Sequence, residues 1–261
     1  MSRASASPRQ QVESPVVPPR ELPDGYLRRS ELPFASLVFL LPLIVLYEVG
    51  TRHFATDPFA QTEQRIIAFK LMQDFFRLFG ASGRYLPALA IGGILLAWHI
   101  ARNDPWRVHP ATLVGMSIEG LLWALPLLAG GIVGFHYLGV TTAPSDVPNW
   151  KALLVLSVGA GIYEELVFRL VAFSILSFLL IDVLAVRKSL AYLLMLAVAA
   201  LAFSLYHYLG NEGFDPQTFA FRTAAGLYFG LIFLYRGFGV TAYSHAAYDV
   251  CVVLLKVFAR P

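Results

Sequence analysis

The sequence predicts an all-α membrane protein, a polytopic bundle of seven or eight transmembrane helices. Of its 261 residues, 57% are hydrophobic and 14% are charged, whereas a soluble domain carries about 25% charged residues. The mean hydropathy is +0.63, so a soluble fold of this size would expose more apolar surface than monomers tolerate. Apolar blocks also alternate with short polar breaks from residue 34 onward. These observations argue against a soluble enzyme and predict a multi-pass protein of the cell membrane.

The chain begins with a polar segment, residues 1–33, that six prolines interrupt. Because this segment has almost no apolar run, we predict that it is a disordered cytoplasmic tail. It contains no apolar stretch followed by a small-residue cleavage site, so the sequence does not indicate a cleaved signal peptide. N-terminal transmembrane helices are expected over residues 34–149.

Seven apolar blocks follow the tail, and a transmembrane helix needs about 20 predominantly apolar residues. The blocks are residues 34–49, 85–101, 111–135, 153–181, 190–209, 219–235 and 240–257. The fourth block is longer than a hydrocarbon core of about 30 Å requires, so we expect it to protrude, tilt or break. Between the first two blocks, residues 65–79 mix aromatic and basic side chains, which predicts an interfacial amphipathic helix.

Basic residues in the loops predict the orientation in the membrane. Loops 102–110 and 182–189 carry two basic residues each, whereas loops 136–149 and 210–218 carry none. The first two loops are therefore expected in the cytoplasm. The stretch 51–84 is an exception, since it places five basic residues on the other side. Because the basic residues are scattered and the net charge is only +3, we expect membrane lipid and not nucleic acid as a partner.

Two adjacent glutamates, Glu164 and Glu165, lie inside the fourth block. Ionisable residues within spans cost about 2.5–3.5 kcal/mol on insertion scales, so they persist only with partners or a function. Glu165 and Arg169 are four residues apart and can pair on one helical face. This pairing would leave Glu164 free to act as a general base. The alternative is that salt bridges within the bundle fix both glutamates.

Two further motifs place histidines in the fifth and seventh blocks. Phe203 precedes His207 by one helical turn, and His245 precedes Asp249 by the same spacing, which puts the members of each pair on one face. Taken alone, His207 also fits a hydrogen-bonded core histidine, and His245 with Asp249 fits a structural clamp. The sixth block separates the two histidines in sequence, which would place them at different depths in the membrane. They can act together only if helices tilt, if the loop 210–218 is re-entrant, or if a cavity lies between them.

The three motifs, in this order, resemble those of the CPBP family of CAAX proteases and bacteriocin-processing enzymes. This family is also called the abortive-infection family, and it includes the type II CAAX prenyl endopeptidases. The resemblance covers about residues 150–258, and residues 1–149 show only a compatible hydropathy. It implies a helical catalytic core over residues 150–261, with a conical intramembrane cavity. It also implies an intramembrane endopeptidase acting on a peptide or protein substrate, of the CAAX or leader-peptide type, near the bilayer.

The resemblance also implies roles for the motif residues. Glu164 would activate a water molecule with the assistance of His207, and Glu165 and Arg169 would orient the site.

His245 and Asp249 would match the last motif, which is proposed to stabilise the oxyanion. Its final position is Asn in many members, and an ionised Asp249 would repel an oxyanion.

A metal-dependent version of this protease is the main chemical alternative, since the family has been described both as metallo-type and as glutamate-type. The zinc ligands would be Glu164, His207, His245 and Asp249, whose donor types suit zinc. We expect glutamate chemistry without a cofactor, because nothing in the spacing requires an ion. The sequence has no His-Glu-x-x-His motif, and its single cysteine, Cys251, excludes a Cys-rich zinc site.

Two hypotheses in which the protein does not hydrolyse peptides also remain open. One is a peptide-binding immunity or scaffold protein that keeps the cavity but uses its polar groups only for binding. The other is a small transporter whose buried carboxylates carry protons. The chain shows no internal repeat, which weakens the transporter reading.

Overall fold

The protein is helical throughout the part that the structure describes, which confirms the all-α prediction. The structure is a computed structural model that describes residues 21–57, 63–138, 149–210 and 212–258. The α-helices are α1 (Tyr26–Ser30), α2 (Pro33–Phe54), α3 (Ile67–Leu78), α4 (Leu86–Arg102), α5 (Pro110–Leu138), α6 (Trp150–Glu165), α7 (Ala172–Ser177), α8 (Lys188–Tyr206) and α9 (Pro216–Phe258). π-Helical segments, Leu166–Val171 and Phe178–Val183, flank α7, and a 3-10 turn, His207–Leu209, follows α8.

Among the described residues, five helices are long and apolar enough to cross a membrane, so the predicted count of seven or eight spans is not confirmed. They are Pro33–Phe54, Pro110–Ile132, Trp150–Val183, Lys188–Leu209 and Pro216–Phe258. The count is lower because α4 is a shorter apolar helix and because the last two apolar blocks run together in α9. Their composition and length indicate an integral membrane protein.

Helix α9 changes direction at Gly237, which explains how one element contains two apolar blocks. A straight helix of its 43 residues would be about 65 Å long, twice the thickness of the hydrocarbon core. Gly237 has φ 73° and ψ −174°, a backbone conformation that residues with a Cβ rarely adopt. The residues before and after it are therefore two helices of different direction.

The fourth apolar block lies in one continuous helix whose hydrogen-bonding pattern changes along its length. Its helix runs from Trp150 to Val183, and its two π-helical segments interrupt the regular α-helical hydrogen bonding at Leu166–Val171 and Phe178–Val183. The first of these segments begins directly after the two glutamates.

The end of the predicted tail is ordered, which corrects the expectation of disorder for residues 26–33. Residues 1–20 of that tail lie outside the described residues, as does most of the loop 136–149. Within α1, the Tyr26 hydroxyl donates a hydrogen bond to Glu119 of α5 over 2.5 Å. Arg236 of α9 donates to Ser30 over 2.8 Å and also pairs with Glu119. These buried polar contacts hold α1 against the bundle, although its sequence has no apolar run.

The predicted interfacial segment is largely helical as α3. Its residues Ala68 and Phe69 are buried against the bundle, while Phe75 and Leu78 are exposed. Just before α3, Arg65 pairs with both Glu48 and Glu63 at 2.9 Å. The helix therefore has the two faces that an interfacial position requires.

Helices α6 and α9 approach one another closely, and this approach positions the site. A Cβ atom added at Gly161 would lie 2.4 Å from the backbone nitrogen of Ala246, so only glycine fits at this crossing. Helix α9 also packs against α5 and α8. The three predicted motifs, on α6, α8 and α9, consequently face a common interior.

Candidate active site

A cavity of about 280 Å³ lies between α6, α8 and α9. Of the six site residues that the sequence predicts, four line it: Glu164, His207, His245 and Asp249. Most of the remaining lining is apolar, with Phe203, Phe221 and Phe229 among the larger side chains. The arrangement is typical of a small-molecule or peptide site, in which a few polar groups converge in an apolar recess.

Glu164 presents its carboxyl group to this cavity. One of its oxygens, Oε1, accepts a hydrogen bond from the Tyr206 hydroxyl. The other, Oε2, lies 3.8 Å from Nε2 of His245. The side chain is only 6% exposed, and it lines the cavity, where a water molecule or a substrate would reach it.

Glu165 and Arg169 lie behind the cavity wall, fully buried. They form an ion pair, with 2.9 Å between Nη1 and Oε1, which confirms the predicted pairing at a spacing of four residues. The same oxygen of Glu165 lies 2.7 Å from Nδ1 of His245. Arg169 also donates from Nη2 to the Gly226 carbonyl over 3.1 Å. Neither residue lines the cavity, so the two adjacent glutamates have different surroundings.

The change from α-helix to π-helix separates the two glutamates from the arginine. Helix α6 ends at Glu165, and the π-helical segment Leu166–Val171 contains Arg169. The guanidinium lies over the Phe203 ring, 4.5 Å from its centroid. π-Helical turns are rare in proteins, and those that occur are often at functional sites. The position of this segment beside the cavity agrees with that tendency.

His207 lies in the 3-10 turn that ends α8. Its Nδ1 is 2.8 Å from the Phe203 carbonyl oxygen. Because a carbonyl can only accept, Nδ1 carries the proton, and in the neutral ring Nε2 is an acceptor. The ring also packs edge-on against Tyr206, with 4.5 Å between centroids. Its orientation is therefore held by the backbone and by aromatic packing.

The His245 imidazole ring is held by contacts to one face and to its edge. Its ring stacks on Phe229 with 4.5 Å between centroids and an interplanar angle of 15°. Its Nε2 lies 3.5 Å from Oδ2 of Asp249, so the predicted common face of these two residues is confirmed. With Nδ1 directed at Glu165, Nε2 is the ring nitrogen that faces Glu164 and Asp249.

The two histidines, His207 and His245, lie at the same cavity although the sixth block separates them in sequence. The Phe203 ring contacts both, with its centroid 5.0 Å from that of His207 and 5.9 Å from that of His245. Both histidines line the same cavity. Of the three solutions that the sequence left open, the structure contains a cavity between the helices.

Three residues of this site were not predicted from the sequence. Tyr206 stands next to His207 but was not singled out as the partner of a glutamate. Arg222 lines the cavity, and its charge within an apolar block was a signal that could have found it. Phe229 has no such signal, because an aromatic residue in a span is ordinary.

The ligands of the metal-dependent alternative would be Glu164, His207, His245 and Asp249. Among the residues that the structure describes, no group of three or more His, Cys, Asp or Glu side chains is placed to hold a metal ion.

The fold and site define a helical membrane protein with a buried Glu/His cavity. Comparison with known families is more specific: residues 146–251 match the family model described as type II CAAX prenyl endopeptidase Rce1-like. This match confirms the resemblance to the CAAX protease family that the three motifs carry over this region. Residues 1–145 lie outside the match. No curated protein and no solved structure matches the chain.

Proposed function

We propose that the protein hydrolyses a peptide bond of a membrane-associated substrate in the cell membrane, with Glu164 as the base that activates water. The observation that carries the proposal is the different placement of the two glutamates. Glu164 lines the cavity, whereas Glu165 is occupied by Arg169 and His245 behind it. Only one of the pair is available to a water molecule and a substrate.

In this proposal a water molecule lies between Glu164 and His207, which line the same cavity. The carboxylate accepts one proton of this water, and Nε2 of His207 accepts a hydrogen bond from the other. The oxygen attacks the carbonyl carbon of the scissile bond, and the C=O π electrons move onto the carbonyl oxygen. The C–N bond then breaks, and Glu164 returns its proton to the leaving amine. The Tyr206 hydrogen bond keeps Oε1 in place, which leaves Oε2 as the acceptor.

His245 and Asp249 are the groups that we assign to the oxyanion. With both ring nitrogens protonated, His245 donates from Nδ1 to Glu165 and from Nε2 into the cavity. Asp249 donates only in its protonated form, because an ionised carboxylate repels an oxyanion. Glu165 and Arg169 are positioning residues in this scheme, since they fix His245 and do not touch the substrate.

The proposal includes no metal ion or other cofactor. Treatment with a chelator therefore belongs to the cleavage experiment.

The decisive experiment is Glu164→Gln, which keeps the size and hydrogen bonding of the side chain but removes the base. A general base contributes about 10²–10⁴-fold, so cleavage in lipid should fall by that factor while the protein still inserts and folds. Glu63→Gln is a matched control, since it removes a partly buried carboxylate outside the cavity and leaves Arg65 paired with Glu48.

Substrate trapping with Glu164→Gln, followed by mass spectrometry, identifies what the cavity holds. Near-normal cleavage by Glu164→Gln would remove this residue from the mechanism. If the wild-type protein retains a trapped peptide without ever cleaving it, the protein is a peptide-binding scaffold. Loss of cleavage on chelation, with metal measured in the purified protein, would establish the metal-dependent alternative.

A further inference from the structure

A recess lined by basic side chains lies outside the candidate active site, where α2 and α5 begin. Its lining includes Arg29 of α1 together with Arg107 and His109 of the loop before α5. The remaining lining residues are uncharged: Leu22, Leu32, Ala35, Val108 and Thr112. Two guanidinium groups from separate segments therefore share a recess whose described lining contains no carboxylate.

Arg29 is held by the backbone and not by an anion. Its Nε donates a hydrogen bond to the Pro23 carbonyl oxygen over 2.8 Å, and the residue is half-buried. Its two Nη nitrogens have no hydrogen-bond partner, and the side chain has no ion pair, within the described residues. A guanidinium presents its N–H donors in a planar fork that matches the oxygens of a carboxylate or a phosphate. The donors on both Nη nitrogens are therefore available to a ligand.

Arg107 is the second guanidinium of the recess. Its backbone N–H donates to the Pro105 carbonyl oxygen over 2.8 Å, which fixes the turn that carries it. The side chain is exposed and forms no hydrogen bond or ion pair with any residue that the structure describes. The carboxylate nearest to it in sequence, Asp104, pairs with Arg102 at 2.6 Å.

The carboxylates near Arg29 do not neutralise it either. Glu31 pairs with Arg236 of α9 at 3.0 Å. Glu21 and Asp24 are exposed and form no ion pair with Arg29 in the described part of the chain. Because like charges repel one another, two arginines that share a recess without a carboxylate favour an anionic ligand between them.

The position of the recess along the helices places it at the level of the lipid headgroups. Two of the five candidate spans, Pro33–Phe54 and Pro110–Ile132, begin beside it. Trp106, which precedes Arg107, is 57% exposed and packs on Phe34 at the start of α2, with 5.2 Å between ring centroids. Tryptophan is enriched at membrane–water interfaces. The phosphate group of a phospholipid lies at the same depth and can reach the recess.

The charge of the recess indicates which class of phospholipid it would select. The loop 102–110 is predicted in the cytoplasm, and the cytoplasmic leaflet carries anionic lipids that attract basic segments beside transmembrane helices. Basic pockets between transmembrane helices on this side are typical sites for anionic headgroups. A zwitterionic headgroup adds an ammonium group of its own, so it neutralises two arginines less well.

We propose that Arg29 and Arg107 bind the phosphate group of an anionic phospholipid, which bridges α1 to the loop before α5. Ser30, next to Arg29, accepts a hydrogen bond from Arg236 of α9. The lipid and α9 would thus hold α1 together. This inference does not depend on the proposed function, because it concerns a separate site and no chemical step.

The test is a lipid titration of the purified full chain, read by native mass spectrometry, with phosphatidylglycerol and phosphatidylcholine as probes. We expect the wild-type protein to retain phosphatidylglycerol in preference to phosphatidylcholine. An arginine near an anionic membrane surface contributes roughly fivefold to binding. Arg29→Gln and Arg107→Gln should therefore each raise the Kd for phosphatidylglycerol about fivefold, and the double variant about 25-fold.

Arg187→Gln is the matched control. Arg187 is exposed on the loop before α8, which is predicted on the same side of the membrane, and it does not line the recess. Its substitution removes the same charge and should leave the Kd unchanged. An equal rise in Kd for Arg187→Gln and Arg107→Gln would show general attraction to the membrane and overturn the inference. A rise in only one of the two recess variants would overturn the bridge.

Inorganic phosphate distinguishes a lipid site from a site for a small soluble anion. A lipid also has acyl chains in contact with the protein, so millimolar inorganic phosphate should not displace phosphatidylglycerol. Displacement by inorganic phosphate would overturn the assignment to lipid, and so would equal retention of the two lipids by the wild-type protein. Both recess arginines are exposed or half-buried, so the helical content of the variants, measured by circular dichroism, should equal that of the wild type.

Discussion

Removal of the Glu165 charge tests the division of labour between the two glutamates. Glu165→Gln keeps an oxygen that can accept the hydrogen bond from Nδ1 of His245. It leaves Arg169 without its anionic partner, in a position where both side chains are 1% exposed or less. We therefore expect the variant to lose both stability and activity, whereas Glu164→Gln loses activity alone.

The magnitude follows from the burial of the pair. Removal of one partner of a buried ion pair costs about 3–5 kcal/mol, because an uncompensated charge remains. Arg169 keeps the Gly226 carbonyl and its position over the Phe203 ring, and a cation–π contact is worth about 0.5–2 kcal/mol. The cost of Glu165→Gln should therefore lie near the lower end, at about 3 kcal/mol.

A double-mutant cycle isolates the pair. Arg169→Met removes the other charge and keeps an unbranched side chain, and the double variant contains neither charge. Because the double variant leaves no charge unpaired, it should be more stable than the sum of the two single losses predicts. Contacting residues show coupling of about 0.5–3 kcal/mol.

The assay is reversible unfolding of the purified protein in lipid bicelles, with peptide cleavage measured on the same samples. Strict additivity of the two single losses would refute the pairing. If Glu165→Gln proved fully stable but inactive while Glu164→Gln remained active, the roles of the two glutamates would be reversed.

Three further variants test other parts of the structure. Asp249→Asn should keep substantial activity if this residue donates to the oxyanion, since an amide always donates; a joint loss of activity and bound metal would instead identify a ligand. Gly161→Ala should destabilise the protein by about 1–3 kcal/mol through overpacking against Ala246, and wild-type stability in unfolding assays would contradict the close helix crossing. Glu212→Cys in a Cys251→Ser background should react with membrane-impermeant reagents only from outside, and labelling from the cytoplasm alone would reverse the predicted orientation.

The membrane class and the motif residues were readable from the sequence, because they depend on composition and on spacing along one helix. The backbone N–H and C=O groups of an apolar block inside a membrane must form hydrogen bonds within the block itself, because lipid offers no partners. A helix is therefore the expected structure. Similarly, Glu165 and Arg169 pair because residues four apart share a helical face, whatever surrounds them. The order of the three motifs carried the resemblance that the family match over residues 146–251 confirms.

The number of candidate spans and the composition of the site depended on tertiary structure. The sequence shows a break between the apolar blocks 219–235 and 240–257, but local spacing does not show that the chain changes direction at Gly237 without an intervening loop. The ordering of α1 likewise requires Glu119 and Arg236, which lie far along the chain. Contacts between distant segments are not encoded in local spacing.

The sequence by itself determined which residues could take part in chemistry. The packing of three helices decided which of these residues share a cavity. Gly161 allows α6 to approach α9, and this approach places His245 between the two glutamates. The same packing brings Tyr206 onto Glu164 and leaves Arg222 facing the cavity. These contacts arise because side chains on separate helices become neighbours only when their backbones are in place.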